Sequence, residues 1–161
     1  MISNVYECTP LFQMQSEQNL ALAVLGGLAA AVLGATVWAI ITALTNFQIG
    51  WMAVGVGFLV GFSVRYFGKG IDQIYGIIGA VFALLGCLAG NFLTVVYFVS
   101  VESQASFWSL LFDVDLAVII NVIVETFEFI DLIFYGFAVY EGYRISFRKM
   151  TEEELKQITQ M

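Results

Sequence analysis

The chain reads as an all-α polytopic membrane protein: four transmembrane helices, with a short amphipathic acidic helix before the fourth. Three observations lead there. Of its 161 residues 60% are hydrophobic and only 12% are charged, where soluble domains run at about 45–50% and about 25%. The mean hydropathy is +0.89, more apolar surface than one soluble core of this size can hide. Three charge-free apolar runs are also long enough to approach or exceed the thickness of a bilayer.

A helix needs about 20 apolar residues to cross roughly 30 Å of hydrocarbon. Residues 20–44 supply such a run. Asn46, Phe47 and Gln48 then break it, and residues 49–64 form a second, shorter run with Trp51 near its start, where an indole suits the headgroup level. The polar, glycine-punctuated stretch RYFGKGIDQ reads as a turn, and residues 74–99 form the longest run. The fourth span, residues 132–147, is less clean. Upstream of it, residues 114–130 are mostly Ile, Val, Leu and Phe, but Asn121, Glu125, Glu128 and Asp131 fall on one face at 3.6 residues per turn. That pattern fits a helix lying at the interface, with Asp131 capping the span or in its first turn. A single long helix crossing with its acidic stripe turned inward remains the alternative. Thr151 followed by Glu154 is a capping box, which predicts a short tail helix over 152–159.

Small residues recur at four-residue spacing: Gly26, Ala30 and Gly34; Ala53, Gly57 and Gly61; Gly79, Ala83 and Cys87, with Gly86 and Gly90 beside them. In lipid, helices associate by close van der Waals approach rather than by hydrophobicity, so these stripes are expected to pack the bundle. The chain is expected to be one membrane domain, residues 1–161.

The absence of histidine removes the commonest general base and metal ligand. Cys8 and Cys87 lie in different environments and form no CxxC, so both are expected as free thiols. No cofactor, metal site or catalytic residue is expected. A net charge of −7, with no basic arm, argues against nucleic acid. The N-terminus lacks the basic region and cleavage site of a signal peptide, so the first run should be retained as an anchor.

Residues 47–91, FQIGWMAVGVGFLVGFSVRYFGKGIDQIYGIIGAVFALLGCLAGN, resemble a stretch found in a family of small bacterial membrane proteins of unassigned function. Residues 131–147, DLIFYGFAVYEGYRISF, are similar to the closing segment of the same group. The resemblance implies a bacterial inner-membrane protein and carries over no catalytic residue.

Three polar features could carry function. Glu141 lies about 14 Å along a span that starts at residue 132, and an intramembrane carboxylate is a functional hypothesis by default. Arg144 could pair with it, and Tyr135, Tyr140 and Tyr143 offer hydroxyls; a purely structural Glu141–Arg144 pair reaching to the interface explains the same residues. The acidic face of Asn121, Glu125, Glu128 and Asp131 could meet a basic partner or a cation, or be the wet side of an interfacial helix. It carries no Lys or Arg, unlike most lipid-adsorbing helices, which favours a protein partner. Gly68-Lys69-Gly70 with Arg65 could hold a lipid headgroup through charge and backbone N–H groups, or be an ordinary cytoplasmic loop.

The function expected is a non-enzymatic accessory or scaffold subunit of a larger inner-membrane complex. Its partners would be the lipid bilayer and another membrane protein or a second copy. The alternative is a small oligomeric cation or proton transporter using Glu141. With four spans, all six basic residues (Arg65, Lys69, Arg144, Arg148, Lys149 and Lys156) fall on one side, and the other holds Glu102, Asp113 and Asp115. The positive-inside rule then places both termini in the cytoplasm. Reporter fusions at Met1, Ser103 and Met161 should show the first and last on the cytoplasmic face; Ser103 on that face would refute the topology.

Overall fold

A computed structural model describes residues 18–46, 50–113, 120–121, 124 and 129–147, and among these residues there is no strand. Helix α1 spans Leu20–Thr45, α2 Trp51–Gly68, α3 Gln73–Ser103, α4 Phe107–Asp113 and α5 Phe129–Ile145. Most of the acidic helix expected over 114–130, and the whole tail helix over 152–159, lie outside the described residues.

The helix ends follow from local chemistry. Asn19 caps α1, its Oδ1 accepting from the Leu22 N–H at 3.0 Å and satisfying a donor that the first turn leaves open. Asn46, Lys69 and Gln104 end α1, α2 and α3 in the left-handed conformation, with φ of 51°, 48° and 54°. At Lys69 the backbone N–H donates to the Arg65 carbonyl, closing the last turn of α2. That helix therefore runs four residues past its apolar run, because nothing in Arg65-Tyr66-Phe67 breaks a helix. The connection to α3 is correspondingly tight, and the buried ring of Tyr75 covers Gly68 and Gly70 within it.

By length and apolarity α1, α2 and α3 qualify to cross a membrane. Four such helices were expected. By that measure α5 falls short, because it has 17 residues and carries Asp131, Glu141 and Arg144.

α2 and α3 form a central pair, with α1 packed on both and α5 packed on both. Paired contacts set the directions. Gly50 faces Phe134, Gly57 faces Ala138 and Gly61 faces Ile145, so α2 and α5 run parallel and at the same depth. Gly79 meets Gly142 and Ser146 at one end of the α3–α5 seam. Tyr135 meets α3 one turn beyond Cys87, so those two helices are antiparallel. α4 lies against α3 and carries exposed Trp108 and Phe112, stacked 6.4 Å apart.

Compared with a soluble bundle, the architecture is turned inside out. The buried face of α1 is Ala23, Gly27, Ala30, Ala31, Gly34, Ala35, Trp38 and Thr42, while Leu22, Leu25, Leu28, Val32 and Leu33 point outward. The expected stripe on α1 is shifted by one position at its start: Gly27 is buried, whereas Gly26 is half-exposed against the Phe67 ring. On α2 the expected Ala53, Gly57 and Gly61 are all buried, and so are Gly79, Ala83 and Cys87 on α3. These stripes pack within the chain. A Cβ at Gly57 would collide with the Ala138 carbonyl and lie 2.7 Å from its Cα; one at Gly86 would lie 2.8 Å from Val56 and 3.3 Å from the Ala31 Cα. Gly55, on the outward face of the same helix, has nothing within 4 Å of such an atom.

Gly57→Ala should therefore destabilise the protein by about 1–3 kcal/mol through overpacking. Gly55→Ala should instead stabilise it by about 0.5–1 kcal/mol, since helix propensity is the only term that changes. Thermal or denaturant unfolding in detergent measures both, and equal effects would show that the seam does not pack.

Candidate functional site

Among the described residues every charged side chain lies outside the core. Arg65, Lys69, Asp72, Glu102 and Arg144 are exposed, and Asp131 and Glu141 are half-buried. No group of three or more acidic or cysteine side chains among them could hold a metal ion.

Glu141 sits four residues before the end of α5, about 6 Å in by helical rise, with its backbone against Gly61 of α2. Arg144 turns elsewhere: its guanidinium carbon lies 5.9 Å above the Tyr140 ring, a cation–π contact. No ion pair joins Glu141 to Arg144 among the described residues. Tyr143 packs edge-on against Phe147 at 5.0 Å. Tyr135 points into the bundle, away from Glu141.

Of the acidic face, Asn121 is helical and exposed, and Asp131 is half-buried in the first turn of α5. There its charge complements the helix dipole. Glu125 and Glu128 lie outside the described residues. In the connection between α2 and α3, Arg65 belongs to the last turn of α2 and Lys69 is its C-cap. The Lys69 N–H is committed to the Arg65 carbonyl at 3.0 Å and the Gly70 backbone is buried beneath Tyr75. A headgroup here would meet side chains rather than a ring of backbone donors.

The structure gathers a polar group elsewhere. In the half of the bundle near the α3–α4 connection, Trp38 and Thr42 of α1, Asn91 of α3 and Tyr135 of α5 are all buried, at 2%, 1%, 1% and 6% exposure. The side chains of Asn91 and Tyr135 are joined by a hydrogen bond. The Trp38 and Tyr135 rings meet edge-on at 6.5 Å, and Gly90 leaves room for the indole. One turn further in, the Cys87 thiol donates to the Ala53 carbonyl at 3.8 Å. Asp131 stands one turn above Tyr135 on α5, so polar groups descend from the outer end of that helix into the interior.

The sequence held a signal for this cluster. Trp38 lies well inside an apolar run, away from the interface where indoles usually sit, and Asn91 is the only amide within the third run. What could not be read was that three separate helices turn these residues toward one another.

On the outward face of α5, Ile133, Gly136, Phe137 and Tyr140 line an open apolar groove of about 420 Å³, shaped for hydrocarbon rather than for chemistry. No family model, curated protein or solved structure matches this chain.

Removing the Tyr135 hydroxyl leaves a buried amide without its partner. Tyr135→Phe should therefore cost about 1–2 kcal/mol, while Tyr140→Phe, on the exposed face, should change stability little. Adding Asn91→Leu to Tyr135→Phe should recover part of the loss. Unfolding midpoints in one detergent compare all three, and a neutral Tyr135→Phe would show that the bond contributes nothing.

Proposed function

We infer that the chain is a four-span scaffold or accessory subunit of a bacterial inner-membrane complex, with cytoplasmic termini and no catalytic role. The observation that carries this is the interior. It is built largely of Ala, Gly and Val in close contact, with an uncharged polar cluster confined to one half, and no described charged side chain enters it. A pore or carrier needs polar or charged groups along its length. The inner half of this bundle, around Ala23, Val60, Val64, Gly79, Ala83 and Gly142, offers among its described residues only Tyr75, at the α2–α3 connection, and Ser146, whose hydroxyl donates to the Gly142 carbonyl.

The fourth span is supported by the way α5 docks. It runs parallel to α2 at the same depth, and its 17 residues rise about 25 Å against about 27 Å for the 18 of α2. Its glycine contacts with α2 and α3 are as close as those of α1, so it belongs to the bundle rather than to its surface. Asp131 at one end and Arg144 at the other lie where a spanning helix meets headgroups. The surface proposed for a partner is the acidic stretch before α5, which follows the exposed aromatic pair of α4 in the chain.

Purified from its native membrane in mild detergent, the wild-type chain should bring down a second membrane protein in fixed ratio. In liposomes it should pass neither protons nor K⁺ above the protein-free background. Flux that disappears in Glu141→Gln would overturn the scaffold assignment.

A further inference from the structure

The polar cluster in the outer half of the bundle contains buried polar atoms that make no hydrogen bond within the protein, two of them on one face of α1. The Trp38 Nε1–H and the Thr42 Oγ1 are each buried and make no hydrogen bond to protein. Other hydroxyls on these helices behave differently. Thr36, Thr45, Thr94, Ser103 and Ser146 each donate to the carbonyl four residues back, at 2.6–2.9 Å, the usual way a helix satisfies such a group in lipid. Thr42 does not. It lies one turn beyond Trp38 on the same buried face of α1, so the two side chains enter the same part of the interior.

An unmade hydrogen bond in an apolar interior is expensive, and hydrocarbon outside offers no substitute partner. An indole N–H can only donate; a hydroxyl can donate and accept. A guest that accepts from Trp38 while exchanging a hydrogen bond with Thr42 must be small, neutral and both donor and acceptor. A cation is excluded by the indole donor. An anion is disfavoured by Asp131, one turn above Tyr135, and by a chain of net charge −7.

We propose that Trp38 and Thr42, with the Asn91–Tyr135 pair beside them, form an internal water-binding site in the outer half of the bundle. Water reaches it from the Asp131 end of α5 and goes no further, because Val56, Val60, Ala83 and Ala138 close the interior below. The bundle is therefore hydrated on one side and dry on the other. This does not depend on the scaffold assignment, since a bundle with or without a partner has the same interior.

The test uses the full chain in phospholipid nanodiscs, with the indole nitrogens labelled. The three tryptophans give three signals, and Trp38→Phe identifies the buried one. Magnetisation transferred from water to the Trp38 indole proton should be clearly detectable and should fall at least about twofold in Thr42→Val while Thr42→Ser retains it. Absence of transfer to Trp38 in the wild-type protein overturns the site, as does transfer left undiminished in Thr42→Val. Should Thr42→Val fail to fold, the wild-type measurement together with Thr42→Ser decides: retained transfer in both supports the site, and its absence in either overturns it.

Discussion

The structure rests on how closely its helix backbones approach. Where Gly57 passes Ala138, where Gly79 passes Gly142 and where Gly86 passes Ala31, no β-carbon could be inserted without displacing backbone or a neighbouring side chain. In lipid this proximity is the source of cohesion, because burying a leucine against another helix gains little over leaving it among acyl chains. The distribution of residue sizes follows. Small side chains turn inward and leucine, isoleucine and phenylalanine turn outward, and the few bulky interior groups, Trp38, Tyr75 and Tyr135, fill the places where neighbouring glycines and alanines make room.

Much of this was legible in the residues. Charge-free runs located α1, α2 and α3, because a helix crossing hydrocarbon leaves its signature in composition alone. The stripes on α2 and α3 fell where spacing placed them, whereas on α1, where Gly26 and Gly27 stand side by side, spacing could not tell which of the two faces the core. Helix ends were read less well. Apolarity stops at Val64, but hydrogen bonding does not, so α2 continues to Gly68. The fourth helix resisted for a related reason: its acidic and basic residues dilute the signal that length and hydropathy provide, and its place in the bundle is visible only through what it touches.

The polar residues show the same limit from the other direction. Glu141, Arg144 and the tyrosines stand close together in sequence, which suggested a pair. A helix, however, sends residues three and four apart along one face while neighbouring helices decide which of them find partners. Arg144 lies over Tyr140, and Tyr135 is turned to Asn91, forty-four positions away in the chain. Trp38 and Thr42 join that group from a third helix. Chemistry assembled from three helices leaves no local motif in any one of them.

The backbone bond from the Asn19 N–H to the Gly68 carbonyl, at 3.0 Å, bears on the order in which the bundle can be put together. It ties the start of α1 to the end of α2 at the side opposite their connecting turn, so the hairpin is fastened at both ends before α3 is needed. α5 is in the reverse position. Its seat consists of Gly57 from α2 and Gly79 and Ala83 from α3, and it does not exist until those two helices lie together. The first pair can thus form as soon as it leaves the ribosome, while the last helix must wait for a surface that only the finished remainder supplies. On this geometry, order along the chain and order of assembly are expected to coincide, and an error in α2 or α3 should be felt most by the helix made last.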